Sequence, residues 1–185
     1  MQPDDTPKGH IVPKGNAIQH YVTLTRSPLL LSPIIESFFK EIKPVGKNLL
    51  MGYLVLPIVL YPPSRDFLRN ANARSSVRSF CADRIRLAGL PQRVAELRTT
   101  TSVAIQNAID CNRLILRSDL SLVYAEQQSD PSLGIPSETK AAKRLASIFE
   151  PYDVPTIYRL LGVTNLLTVL LNLLGSSTRM ALHIT

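Results

Sequence analysis

The stretch from Leu54 to Leu68, LVLPIVLYPPSRDFL, decides the fold. Leu54 to Leu60 are all apolar. A segment with no polar side to turn toward water has to be enclosed by other elements. Pro57, in its middle, denies a regular helix one backbone hydrogen bond and crowds the carbonyl one turn back. It suits a central strand no better. The reading left is a buried, proline-kinked segment or a pair of short apolar helices. Pro62-Pro63 closes it, and Ser64 is placed to cap a new helix at Arg65.

Working outward toward the N-terminus, Leu29, Leu30, Ile34, Ile35, Phe38, Phe39 and Ile42 recur at helical spacing behind Ser27-Pro28. This predicts an amphipathic helix that ends before Pro44. Asn16 to Leu24 alternates weakly and reads as a short strand. Residues 1–25, rich in proline, glycine and polar side chains near the start, read as a flexible arm.

Toward the C-terminus, Ser75-Ser76 favours a helix start, and Leu87 to Pro91, with Gly89, marks a turn. Val94, Leu97, Val103, Ile105, Ala108, Ile109 and Leu114 support a long helix across Thr99-Thr100-Thr101. Leu114 to Ala125, LILRSDLSLVYA, then changes period and reads as a hairpin. A long helix followed by a hairpin is winged-helix-like. After a polar loop, Ser137-Glu138 opens a helix with Ala141, Leu145, Ile148 and Phe149 on its apolar face, ended by Pro151. Asp153 caps a last short helix that stops at Gly162. Leu160 to Gly175 is apolar, but its strictly apolar runs fall short of the roughly 20 residues that a bilayer needs. It is assigned to a helix packed on this domain or on a partner. The expected architecture is therefore mainly α: an arm (1–25), a small helical domain with a short β-hairpin (26–163) and an apolar C-terminal extension (164–185).

With 21 Lys+Arg against 14 Asp+Glu, the formal charge of +7 favours an acidic partner. The charge concentrates between Arg65 and Arg98, where Arg65, Arg69, Arg74, Arg78, Arg84, Arg86, Arg93 and Arg98 face only Asp66, Asp83 and Glu96. Arg65 and Arg69, and again Arg74 and Arg78, stand four apart. Each pair would share one face of a helix. These four are the candidate contacts for nucleic acid or an acidic partner.

Chemistry finds little support. Gly46-Lys47 lacks the upstream glycine of a phosphate loop, and Asn48 stands where a hydroxyl would meet magnesium. Glu41-Ile42-Lys43 has nuclease-like spacing without a preceding strand aspartate to complete a metal site. His10, His20 and His183 are isolated, and Cys81 and Cys111 lie far apart with no clustered ligands. No catalytic residue, metal site or cofactor is expected. No basic-plus-apolar leader is visible, so the expected location is cytoplasmic.

The quoted motifs resemble a known family. Ser27 to Leu31, SPLLL, with its helix and then Tyr53 to Leu68, YLVLPIVLYPPSRDFL, are similar to the N-P-A-L start and the F-L-V-L-P-L-V-L-H-K-P-T-R-E-x-L core of the middle component of three-component ABC systems. Ile157 to Val163, IYRLLGV, resembles the I-x-x-L-L-G-V that closes the family. The resemblance spans roughly Ser27 to Val163, with Ser27 where the family has asparagine. It implies a non-catalytic accessory subunit of an antiphage or antiplasmid system of the Lamassu kind. Its implied partners are an SMC-like ABC ATPase and an effector, often a nuclease. On that reading Leu56, Ile58, Leu60, Leu166 and Leu170 would dock on a partner, and double-stranded DNA would be met through the complex. A free-standing winged-helix DNA-binding regulator is the alternative.

Overall fold

The computed structural model describes residues 27–72, 74–125, 135–166, 168 and 170. The expected strand at Asn16 to Leu24, the arm, the polar loop at 126–134 and the tail beyond Leu170 lie outside the described residues. Among the described residues the chain forms eight helices and one antiparallel hairpin. They run in the order α1 (Pro28–Glu41), α2 (Leu49–Val59), α3 (Pro62–Arg69), α4 (Val77–Cys81), α5 (Arg84–Leu87), α6 (Leu90–Asp110), β1 (Leu114–Leu116), β2 (Leu122–Tyr124), α7 (Pro136–Phe149) and α8 (Val154–Leu160).

α2 lies at the centre, and every residue from Leu49 to Val59 is buried. It packs on α1, α3, α6 and α7, while α1 also meets α6, α7 and β2. Gly52 makes the close crossing possible. A methyl group there would stand 3.2 Å from the Phe39 ring and 3.3 Å from the Ile105 side chain. Phe38 sits edge-on to both Phe39 and Phe149, which joins α1 to α7 through aromatic contacts.

The central stretch takes the first of the two readings, a buried segment with a proline inside it, and corrects the start of the next helix. α2 is one continuous helix through Pro57, because the proline sits two residues from its end and costs a single ladder bond. α3 begins at Pro62 behind an extended Tyr61, not at Arg65. Pro62 fills the first-turn position, where its missing N–H would be unbonded in any case. Ser64 is therefore inside the helix. It is fully buried and donates to the Arg86 carbonyl at 2.7 Å, fastening α3 to α5.

Other boundaries follow local chemistry. Ser76 and Ser79 form a reciprocal capping box at α4. Gly89, at φ 64°, provides the left-handed turn into α6. Asp153 caps α8 by accepting from the Thr156 N–H at 3.1 Å, and Gly162, at φ 71°, follows the end of that helix. α6 does span the three threonines, but its inward residues are Leu90, Val94, Thr101, Ala104, Ile105 and Ala108. Val103 is exposed, and Leu114 belongs to β1. The mismatch arises because α6 is buried along a face where small residues let α1 and α2 approach. Leu90, Val94 and Ile105 supply its bulk, and Leu97 and Ile109 pack half-buried beside it.

The hairpin pairs Leu114 with Tyr124, Ile115 with Val123 and Leu116 with Leu122. It is stitched to the start of α2, where Lys47 and Leu49 donate to the Asp119 and Leu120 carbonyls. Among the described residues no helix is long and apolar enough to cross a membrane.

Candidate functional site

The basic stretch divides into two populations. Arg65, on α3, donates to the Glu138 carboxylate at 2.8 Å, and the Glu138 side chain is only 9% exposed. The pair ties α3 to α7, so Arg65 is committed within the fold. Glu138 stands in the first turn of α7, as expected, and is also the buried partner of this bond, where it accepts from the Ser137 hydroxyl as well.

Arg86 lies with its guanidinium 4.2 Å from the Phe67 ring centre and donates to the Ser79 and Phe80 carbonyls. Arg93 lies 3.8 Å from the Tyr61 ring centre, and its Nε donates to the Pro57 carbonyl at 3.0 Å. A second Arg93 nitrogen donates to the Ala88 carbonyl. Arg93 thus closes the carboxyl end of α2, where carbonyls lack helical partners and a positive charge is favoured. Burial pulls its pKa below the usual guanidinium value, and Tyr61 opposes the shift. Planar stacking combined with directed N–H donors is a pairing that lysine could not reproduce.

Arg69, Arg74, Arg78, Arg84 and Arg98 form the other population. All five are exposed and make no ion pair among the described residues. Arg69 ends α3, and Arg78 lies in α4. Arg74 lies in the turn between them, where its N–H donates to the Asn72 side chain at 2.9 Å. The expected Arg74–Arg78 helical pair is therefore not formed. Asn72 and Ser75 hold a local turn until the Ser76 cap starts α4. The structure separates Arg65 from the other three candidates, which follow one another along the exposed α3–α4 elbow.

The expected docking leucines are placed differently. Leu56 and Ile58 are wholly buried, and Leu170 is 4% exposed. Leu60 and Leu166 are partly buried against the same core. A side chain with no exposed surface offers none to a partner, so Leu56 and Ile58 are interior residues of this chain. The apolar run that suggested a sticky face is consumed by α2 itself.

Three polar clusters were not foreseen. Ser32 donates to the Ala104 carbonyl at 2.8 Å and accepts from Asn107 Nδ2 at 3.0 Å, joining α1 to α6. Glu36 meets Arg113 at 3.3 Å. Burial pushes the Glu36 carboxyl above its usual range, while the guanidinium pulls it back. Asn48 is fully buried, accepts from the Leu122 N–H at 2.6 Å and donates to the Leu122 carbonyl at 3.0 Å. The residue that disqualified a phosphate loop is thus a clasp on β2. Its sequence neighbours, Lys47 before and Leu49 after, gave no sign of it.

A cavity of about 300 Å³ between the α1–α2 and α7–α8 connections is lined chiefly by Val45, Leu50, Tyr152, Val154 and Pro155. Its Glu150 pairs with Lys43 at 3.1 Å. Among the described residues no three His, Cys, Asp or Glu side chains gather in a way that could hold a metal ion.

A small, mainly helical domain with a short hairpin, an internal proline-containing helix and a basic elbow is the class of molecule defined so far. The sequence matches the family model for the ABC-three component (ABC-3C) system Middle Component 3 over residues 15–165, and the chain belongs to that family. It is accordingly an accessory middle component of a defence-type ABC three-component system, working with the other components of such a system. No curated protein and no solved structure matches it.

Proposed function

We propose that this chain is a cytoplasmic, non-catalytic subunit that binds an SMC-like ABC ATPase and links it to an effector, of nuclease type, in a Lamassu-like antiphage or antiplasmid complex. On this reading the assembled complex meets double-stranded DNA partly through Arg69, Arg74 and Arg78. The observation that carries the DNA contact is the partition of the arginines. Those on the elbow have no acidic partner among the described residues, whereas Arg65, Arg86 and Arg93 are held by the fold. Cations placed in this way bind phosphate oxygens without reading bases, so the contact adds affinity without sequence preference.

The winged-helix regulator draws less support. The exposed side of α6 carries Glu96 and Asp110, held by Gln92 and Gln106 at 2.9 and 2.7 Å. A helix presenting carboxylates would repel the phosphates that flank a major groove.

Co-expression with the ATPase component, followed by size exclusion, tests the assembly, and separate elution of the two would sink it. For DNA, Arg69→Ala/Arg78→Ala in the intact complex should weaken binding to unrelated duplexes equally. It should also lower the slope of log affinity against log salt by about 2, one counterion per lost phosphate contact. An unchanged slope in an assembled complex would refute the DNA contact, and loss of assembly would assign the elbow to the ATPase.

A further inference from the structure

The two edges of the hairpin are treated differently. Arg117 N–H donates to the Ser121 carbonyl, and Ala125 N–H to the Arg113 carbonyl. With the observed register, this makes Ile115–Val123 the doubly bonded pair and turns the N–H and C=O groups of Leu116 and Leu122 outward. On β2 the outward groups of Leu122 are both taken by the Asn48 carboxamide, which imitates one residue of a neighbouring strand. On β1 the corresponding groups of Leu116 have no backbone or side-chain partner among the described residues. Ile115 and Leu116 are themselves 53% and 45% exposed. An edge with open backbone groups and exposed aliphatic side chains is a template for another strand.

The flanking charges indicate what fits. In the antiparallel pairing of β1 with a second copy of itself centred on Ile115, Arg113, whose guanidinium is paired with Glu36 at 3.3 Å, would stand opposite Arg117 at both ends, so Arg117 would meet a guanidinium and not a carboxylate. Like charges directly opposite are destabilising. An extended segment of another polypeptide avoids this if it carries an apolar residue against Ile115 and a carboxylate against Arg117. Arg117 is exposed and makes no ion pair among the described residues.

We infer that the β1 edge binds an extended, acidic-flanked apolar segment of a partner protein by strand addition at Leu116. This rests on the hairpin alone and is independent of the DNA contact and of the ATPase assignment.

The test uses the full chain and a displayed library of random decapeptides. Selected peptides should place β-branched or aliphatic residues between carboxylates, and a labelled synthetic copy should bind saturably by fluorescence anisotropy. Leu116→Pro removes the outward N–H without touching a bond between β1 and β2, and proline is tolerated on an edge. It should weaken the peptide about fivefold, the scale of one hydrogen bond. In the unaltered chain the Leu116 amide should exchange with solvent more slowly once the peptide is added, a readout that survives if the variant fails to fold. Selection of no peptide, equal binding by a folded Leu116→Pro chain, or an unchanged Leu116 amide would overturn the inference. So would a Leu116 amide already protected in the isolated chain. In that case sedimentation would tell whether the occupant is a second copy or a segment of the same chain.

Discussion

Asn48→Ala is the sharpest probe of how the hairpin is held. The side chain is fully buried and satisfies two backbone groups of Leu122, whose own side chain is 1% exposed. Alanine would leave a buried N–H and a buried C=O without partners. Each such group costs about 1–3 kcal/mol, so the expected loss is about 3 kcal/mol, with relaxation or water entry removing part of the upper range. Asn48→Asp keeps the shape but sets a carboxylate oxygen against the Leu122 carbonyl, and it should be at least as damaging at neutral pH. Urea unfolding of the full chain followed by circular dichroism would give the change. At a slope of about 2 kcal/mol per molar, the alanine midpoint should fall by about 1.5 M. A loss below about 1 kcal/mol for both variants would refute the claim that Asn48 closes the β2 edge. It would also remove the contrast on which the open β1 edge depends.

Arg65→Met should strand the enclosed Glu138 carboxylate and cost about 2 kcal/mol, less than a fully buried pair because Arg65 is partly exposed. Arg69→Met should lie within about 0.5 kcal/mol of the unaltered chain. Equal unfolding midpoints for the two variants would show that Arg65 is a surface residue after all. Thr101, fully buried with a hydroxyl that has no partner among the described residues, should accept valine with a gain of about 1 kcal/mol, read as a rise in Tm of about 2–4 °C. A drop in Tm would mean that the hydroxyl is satisfied within the fold.

Much of the helical order was legible because its signals are local. Pro28 behind Ser27, the serines before Val77, Gly89 before Leu90, and Asp153 with Gly162 around α8 each act within a few residues of where they stand. The hairpin showed through its change of period. What stayed hidden depends on distant partners. Ser64 looked like a cap because its partner, the Arg86 carbonyl, is supplied by another helix. Asn48 and Leu122, Glu36 and Arg113, and Arg65 and Glu138 are all more than 70 residues apart, so no spacing rule could join them. Leu56 and Ile58 were misplaced for a related reason. An unbroken apolar run cannot reveal whether its own chain supplies enough helices to surround it, and here α1, α3, α6 and α7 do so.

The same distinction governs how the charge should be read. A count of arginines between Arg65 and Arg98 treats every guanidinium as available to a partner, although Arg65, Arg86 and Arg93 spend their donors on Glu138, on the Ser79 and Phe80 carbonyls, and on the Pro57 and Ala88 carbonyls. Arginine suits that work because its donors are fixed in a plane that can also lie on Phe67 or Tyr61. The short helices α3, α4 and α5 bury few side chains of their own, with none buried in α5. Directed bonds from arginine and from Ser64 therefore supply part of the order that a larger apolar face would otherwise provide. By holding the elbow in place, the internal arginines set where Arg69, Arg74 and Arg78 emerge. Loss of Arg86 would consequently disturb the exposed basic surface without removing a charge from it, whereas loss of Arg78 would remove a charge and leave the elbow intact.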